Sequence, residues 1–132
     1  MPDEAAQSGT YGWVVDRARE ILSDKDGATK RWREAELLRF ADAGVARLRA
    51  LRPAAQYFGL FRVVFRPVAP AGDGDAEGIA TARAARIPAD ERWHEAIVHY
   101  VAYRALLMDE ADAANMNLAQ QHLKLFQEQC QT

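Results

Sequence analysis

The chain has 132 residues, 49% of them hydrophobic and 27% charged, with 17 Lys+Arg against 19 Asp+Glu. That length suits one domain, residues 1–132, able to bury most of its apolar surface. Eight glycines exclude a collagen-like chain, the lone Cys130 excludes an internal disulfide framework, and a net charge of −2 argues against a generic nucleic-acid coat.

Alanine supplies 26 residues and arginine outnumbers lysine 14 to 3, a bias that predicts a mainly helical fold because alanine has the highest helix propensity. No apolar run approaches the roughly 20 residues of a membrane-spanning helix. The start, Met1-Pro2-Asp3-Glu4, is acidic where a signal peptide is basic. A soluble protein made in the cytoplasm, with no membrane partner, is expected.

Val14, Val15, Ala18, Ile21 and Leu22 recur at helical spacing and predict a first helix over about 10–24, capped by Thr10 and stopped at Asp26-Gly27. A second helix is predicted over about 33–51 from Trp32, Ala35, Leu38, Ala41 or Asp42, Val45, Leu48 and Leu51, with Pro53 ending it and Arg39, Arg47, Arg49 and Arg52 on its wetter sides. Trp32, just ahead of it, is placed to staple the chain's entry onto the core.

The run Tyr57 to Phe65, rich in aromatic and β-branched residues, reads as a strand, and Pro67 and Pro70 break it. Ala71 to Gly78, with Gly72, Asp73, Asp75 and Glu77, reads as an acidic, exposed and mobile loop. Ile79 to Ile87 alternates well enough to pair back as a second strand, giving a β arm over about 57–87, although its alanines suit a helix equally well.

Pro88 bars helix at Ile87 and Asp90 is a good cap, so a third helix is predicted over about 91–108, with Trp93, Ile97, Tyr100, Val101, Arg104 and Leu107 as its main stripe. A fourth follows over about 111–128, carrying Ala114, Leu118, His122, Leu125 and Phe126 on one side, and the two form an antiparallel hairpin. Arg104 lies within reach of Asp109 at the corner or of the third helix's last carbonyls. The polar end 127–132 is expected to be a flexible tail. The fold class is therefore mainly α: a four-helix, bundle-like domain with a small β-hairpin arm between the second and third helices.

Catalytic chemistry finds little support. His94 and His99 are five residues apart, about 140° around a helix, so they cannot share a face as the two histidines of His-Glu-x-x-His do. Asp24-Lys25-Asp26-Gly27 resembles the middle of a calcium loop, but Leu22 and Arg33 occupy the first and twelfth ligand positions. Cys130 lacks a Cys-x-x-Cys partner and a basic sequence neighbour. No phosphate loop, nucleophile elbow or dinucleotide fingerprint occurs, so no enzyme, metal or cofactor is expected. Charge is uneven: residues 1–66 carry 12 basic and 9 acidic side chains, residues 67–132 carry 5 and 10. Such a split suits either two solvated faces or head-to-side packing of copies.

Two blocks resemble a known family. Arg31-Trp32-Arg33-Glu34-Ala35-Glu36-Leu37-Leu38-Arg39-Phe40, continuing to Leu48-Arg49-Ala50-Leu51-Arg52-Pro53, resembles the second-helix block of phage head-to-tail adaptor (connector) proteins, where an Arg-Trp, an acidic turn and Glu-Leu-Leu open a helix closed by Leu-Arg-Pro. Ile87-Pro88, Trp93, Ile97, Tyr100-Val101-Ala102-Tyr103-Arg104-Ala105, Asp109 and Ala113-Ala114-Asn115 are similar to that family's C-terminal hairpin. The blocks Trp32–Pro53 and Ile87–Phe126 cover 62 of the 132 residues. Arg33 stands where the family often has a Thr or Ser cap, and the middle, Gln56 to Arg86, is shorter than the family's.

The resemblance implies a virion structural protein of the phage neck, a ring of 12 copies between the portal and a stopper, tail terminator or tail tube protein, with DNA passing through its channel without sequence specificity. On this reading Trp32, Leu38, Leu48, Trp93, Ile97, Tyr100, Arg104, Asp109 and Phe126 form the structural core. Gln127, Glu128, Gln129, Cys130, Gln131 and Thr132 would meet the portal, and Pro67, Pro70, Gly72, Asp73, Asp75 and Glu77 would face the tail. Arg39, Arg47 or Arg49 would line the channel or pair with the adjacent copy. The alternative, drawn from the arginines of the second helix, is a small helical DNA-binding or regulatory module.

Overall fold

The computed structural model describes residues 7–23, 32–108 and 113–131. Among these residues the chain is mainly helical, with five α-helices and a two-stranded antiparallel hairpin: α1 (Tyr11–Leu22), α2 (Glu34–Leu51), β1 (Tyr57–Phe58), β2 (Phe61–Arg62), α3 (Ala76–Ala84), α4 (His94–Met108) and α5 (Ala113–Cys130). Short 3-10 turns at Pro53–Gln56 and Glu91–Trp93 lead into β1 and α4.

The helix ends follow local chemistry. The Thr10 hydroxyl accepts from the Trp13 amide, and Ser23, in the left-handed region at φ 54°, closes α1 by donating its amide to the Arg19 and Glu20 carbonyls. The expected stop at Asp26-Gly27 lies outside the described residues. Asp90 caps the turn before α4 by accepting from the Arg92 amide.

α4 is the central element. Ala96, Ile97, Val98, Tyr100, Val101, Ala102, Ala105 and Leu106 are buried on it, because α1, α2 and α5 all pack against it. Such a helix reads as apolar nearly all round rather than striped. Where α2 crosses it, Gly44 leaves the room: a Cβ there would stand 3.2–3.3 Å from the Tyr100 and Ile97 side chains. The Trp32 indole N–H donates to the Ala105 carbonyl at 2.9 Å, satisfying one of the last carbonyls of α4 while the ring fills the core. An isolated bridge between Thr10 and Arg86 ties the chain before α1 to the chain before α4.

Three sequence expectations change. The stretch read as one strand, Tyr57 to Phe65, is itself a hairpin, with Tyr57 opposite Arg62 and Phe58 opposite Phe61. Gly59, at φ 61°, supplies the left-handed turn residue that a two-residue loop requires. The arm therefore occupies 57–62 rather than 57–87, and the residues read as its second strand belong to α3, which Asp75 caps by accepting from the Gly78 amide. The buried face of α5 is Ala119, Phe126 and Cys130, with Leu123 half-buried, so Leu118 and Leu125 lie on its exposed side. Finally, α5 runs through Gln127, Glu128 and Gln129 to Cys130, which is 2% exposed. These residues are helix, not a free tail, because Cys130 completes the apolar face four residues after Phe126.

Candidate functional site

One flank of α2, at the edge of its buried face, carries a strap, residues 63–73, that runs back along the helix from its C-terminal towards its N-terminal end. Arg49 donates to the Val63 carbonyl at 2.7 Å and lies over the Phe65 ring. One turn or two further back, the Asp42 carboxylate accepts from the Val68 and Ala69 amides at 2.9–3.1 Å. Arg39 then donates to the Ala71 carbonyl at 3.3 Å, and Asp73 accepts from the Ala35 amide at 2.9 Å, capping a helix whose own N-cap residue, Arg33, provides no side-chain bond.

Each of these partners satisfies backbone that extended chain cannot satisfy by itself. Burial raises the Asp42 carboxyl above its usual range, against the Ala69 and Val68 amides, which favour the charge. Burial and the Asp42 charge push the Tyr11 hydroxyl up in turn. Burial, then the neighbouring Arg62 charge, lowers the Arg49 guanidinium.

The strap begins at the arm. Leu60 is 96% exposed, Phe61 80% and Val64 71%, with Tyr57, Phe58 and Leu51 also exposed. A monomer with a complete core has no reason to hold that much contiguous apolar surface in water. From residue 43 to residue 72 the chain contains Arg47, Arg49, Arg52, Arg62 and Arg66 and no acidic residue. The arm is thus both apolar and cationic.

Beneath α3, Glu34 joins two arginines. Arg19, 4% exposed, donates to Glu34 at 3.1 Å and to the Trp32 carbonyl at 2.9 Å, and Arg83 reaches both Glu34 and Asp16. Burial works against the Arg83 charge, but the Asp16 and Glu34 carboxylates outweigh it and hold the guanidinium above its usual range. The network fixes α3 to α1 and to the start of α2. On the other side, His99 of α4 and His122 of α5 face each other, Nδ1 to Nδ1 at 3.0 Å with the rings stacked. Among the described residues no group of three His, Cys, Asp or Glu is placed to hold a metal ion.

The residues singled out in the sequence are distributed as follows. Trp32, Leu38, Leu48, Trp93, Ile97, Tyr100 and Phe126 sit in the core cluster, with the Tyr100 ring 4.9 Å from that of Phe126. Arg104 is half-buried over the Phe40 ring and donates to the Tyr100 hydroxyl. Asp109 and Thr132 lie outside the described residues. Pro67, Pro70, Gly72 and Asp73 belong to the strap, and Asp75 and Glu77 to the start of α3, so this segment is secured rather than a mobile loop. Arg39 and Arg49 hold the strap; Arg47 is exposed. Gln127 and Glu128 are exposed on the last turns of α5, Gln129 is half-buried, and burial pushes the Cys130 thiol up to about 11, with Arg52 opposing.

Sequence reasoning missed the strap, the Glu34 network and the histidine pair. A signal existed for the first: Asp42 shares the apolar face of its helix with Leu38 and Val45, and a carboxylate there needs donors from another segment.

The sequence model of the family described as SU10 adaptor protein matches residues 52–131, more than half of the chain. It spans the arm, strap, α3, α4 and α5, and it starts where the Trp32–Pro53 block ends. No curated protein and no solved structure matches the chain.

Proposed function

The chain belongs to the SU10 adaptor protein family, a family of phage head-to-tail adaptors, and on that premise we propose that it is the subunit of a ring that joins the portal to a tail-side protein and leaves a conduit for DNA. The observation that carries the assembly reading is the arm: Leu60 and Phe61 stand in solvent on a subunit whose core is otherwise closed. In the ring of 12 copies, Gln127 and Glu128 on the exposed last turns of α5, with Gln131 just beyond, meet the portal. Pro67, Gly72 and Asp73 of the strap face the tail side. Arg47, which no strap contact engages, is the channel-facing arginine of α2.

The alternative of a DNA-binding module loses ground, since Arg39 and Arg49, two of the four second-helix arginines that suggested it, hold the strap. The test is native mass spectrometry of the full chain with its portal. A discrete complex of one portal and a fixed number of chains is expected. A chain that stays monomeric beside the portal, yet binds duplex DNA with steep salt dependence, would overturn the reading.

A further inference from the structure

The arm and a surface further back along α2 are complementary. An open trough of about 480 Å³ lies between the strap and α3, lined by Val68, Pro70, Asp75, Glu77, Gly78 and Thr81. Its strap side offers the apolar Val68 and Pro70 and its α3 side the acidic Asp75 and Glu77; the arm is apolar at Leu60 and Phe61 and cationic at Arg62.

We infer that the arm of one copy docks in the strap–α3 trough of the next copy, Phe61 entering between Val68 and Pro70 and Arg62 meeting Glu77. This rests on the ring reading and specifies its contact. The occupant is a second copy because both halves of a matched surface are present on one chain. An arm is held away from its own trough: the strap leaves the arm at Arg49, whereas the trough's Val68 and Pro70 lie at Asp42 and Arg39, about 10–15 Å back along α2. Donor and acceptor are different surfaces of the chain, so the contact is heterologous, and heterologous contacts run head to tail and form a ring where the rotation between copies closes. Buried aromatic anchors with a charge pair at the margin are the usual makings of such an interface.

The test follows assembly of the full chain, alone and with its portal, by mass photometry, with thermal melts as the folding control. Leu60→Ser with Phe61→Ser is expected to raise the concentration needed for assembly about tenfold or more, with the melt unchanged, because both side chains are already in water in the lone subunit. Arg62→Glu and Glu77→Arg are each expected to raise it by about tenfold. Placed in the same chain, the two restore a matched pair at every interface and return assembly to near the original level. Wild-type rings that are indifferent to the single variants, or a double variant no better than either single, overturn the docking while leaving the ring intact. A closed dimer, or no self-association with or without portal, overturns both.

Discussion

Asp42 shows how much one side chain can organise. Its carboxylate takes the Val68 and Ala69 amides, fixing the middle of the strap, where Phe65, Val68 and Ala69 also pack against the core. Hydrogen bonds to a charged acceptor contribute about 1.5–3 kcal/mol, so Asp42→Ala is expected to lower unfolding free energy by ~2–3 kcal/mol in urea titrations. Asp42→Asn, which keeps an acceptor oxygen, should lose less. In the sequence this residue shared its place in the apolar stripe with Ala41, and its charge was the clue to a partner. Which partner was not legible, because Val68 is 26 positions away and only the fold brings it near. The same applies to Asp73, which reads as loop and acts as the cap of α2.

At the scale of elements, legibility tracked the strength of the pattern. α1, α2 and α4 have apolar residues at strong helical spacing and were placed within a few residues of their ends. α3 was ambiguous because its alanines alternate and also recur at helical spacing; its Asp75 cap and the Arg83 ion pairs decide the matter, and both depend on neighbours. In the hairpin, Gly59-Leu60 between Tyr57-Phe58 and Phe61 was a usable turn signal. The α4–α5 pairing carries a pH dependence. Burial lowers the pKa of both His99 and His122; for His122 the His99 charge adds to this, and for His99 Glu95 opposes it while Arg17 assists. Both groups take up protons more readily in the unfolded chain, whose histidines titrate near 6.5. Stability from this pair is therefore present above about pH 6.5 and is lost as pH falls through the lower folded values. Melting temperatures between about pH 5 and 7 should show that decline, and His99→Asn should flatten it.

For the whole molecule, charge arithmetic by halves concealed more than it showed. The cationic segment from 43 to 72 shares the first half with nine acidic residues elsewhere, so its five arginines vanish into a small surplus. Where the chain ends in space was equally hidden. The polar run after Phe126 suggested a tail, whereas the helix carries on to a buried Cys130. Deleting residues 127–132 is accordingly expected to cost about 1–2 kcal/mol of stability, by loss of buried surface, which calorimetry would register. Glu128→Lys and Gln127→Glu, both exposed, probe the portal contact without that cost.

The strap also has a mechanical meaning. Arm and trough sit at the two ends of one covalent segment, and the anchors between them are spaced along α2 rather than gathered at one point. Tension entering at Phe61 and leaving at Glu77 pulls along that segment, so its hydrogen bonds are sheared side by side instead of being unzipped one after another. Every anchor is a group of α2, so in the proposed ring the load is shared along that helix rather than falling on one bond.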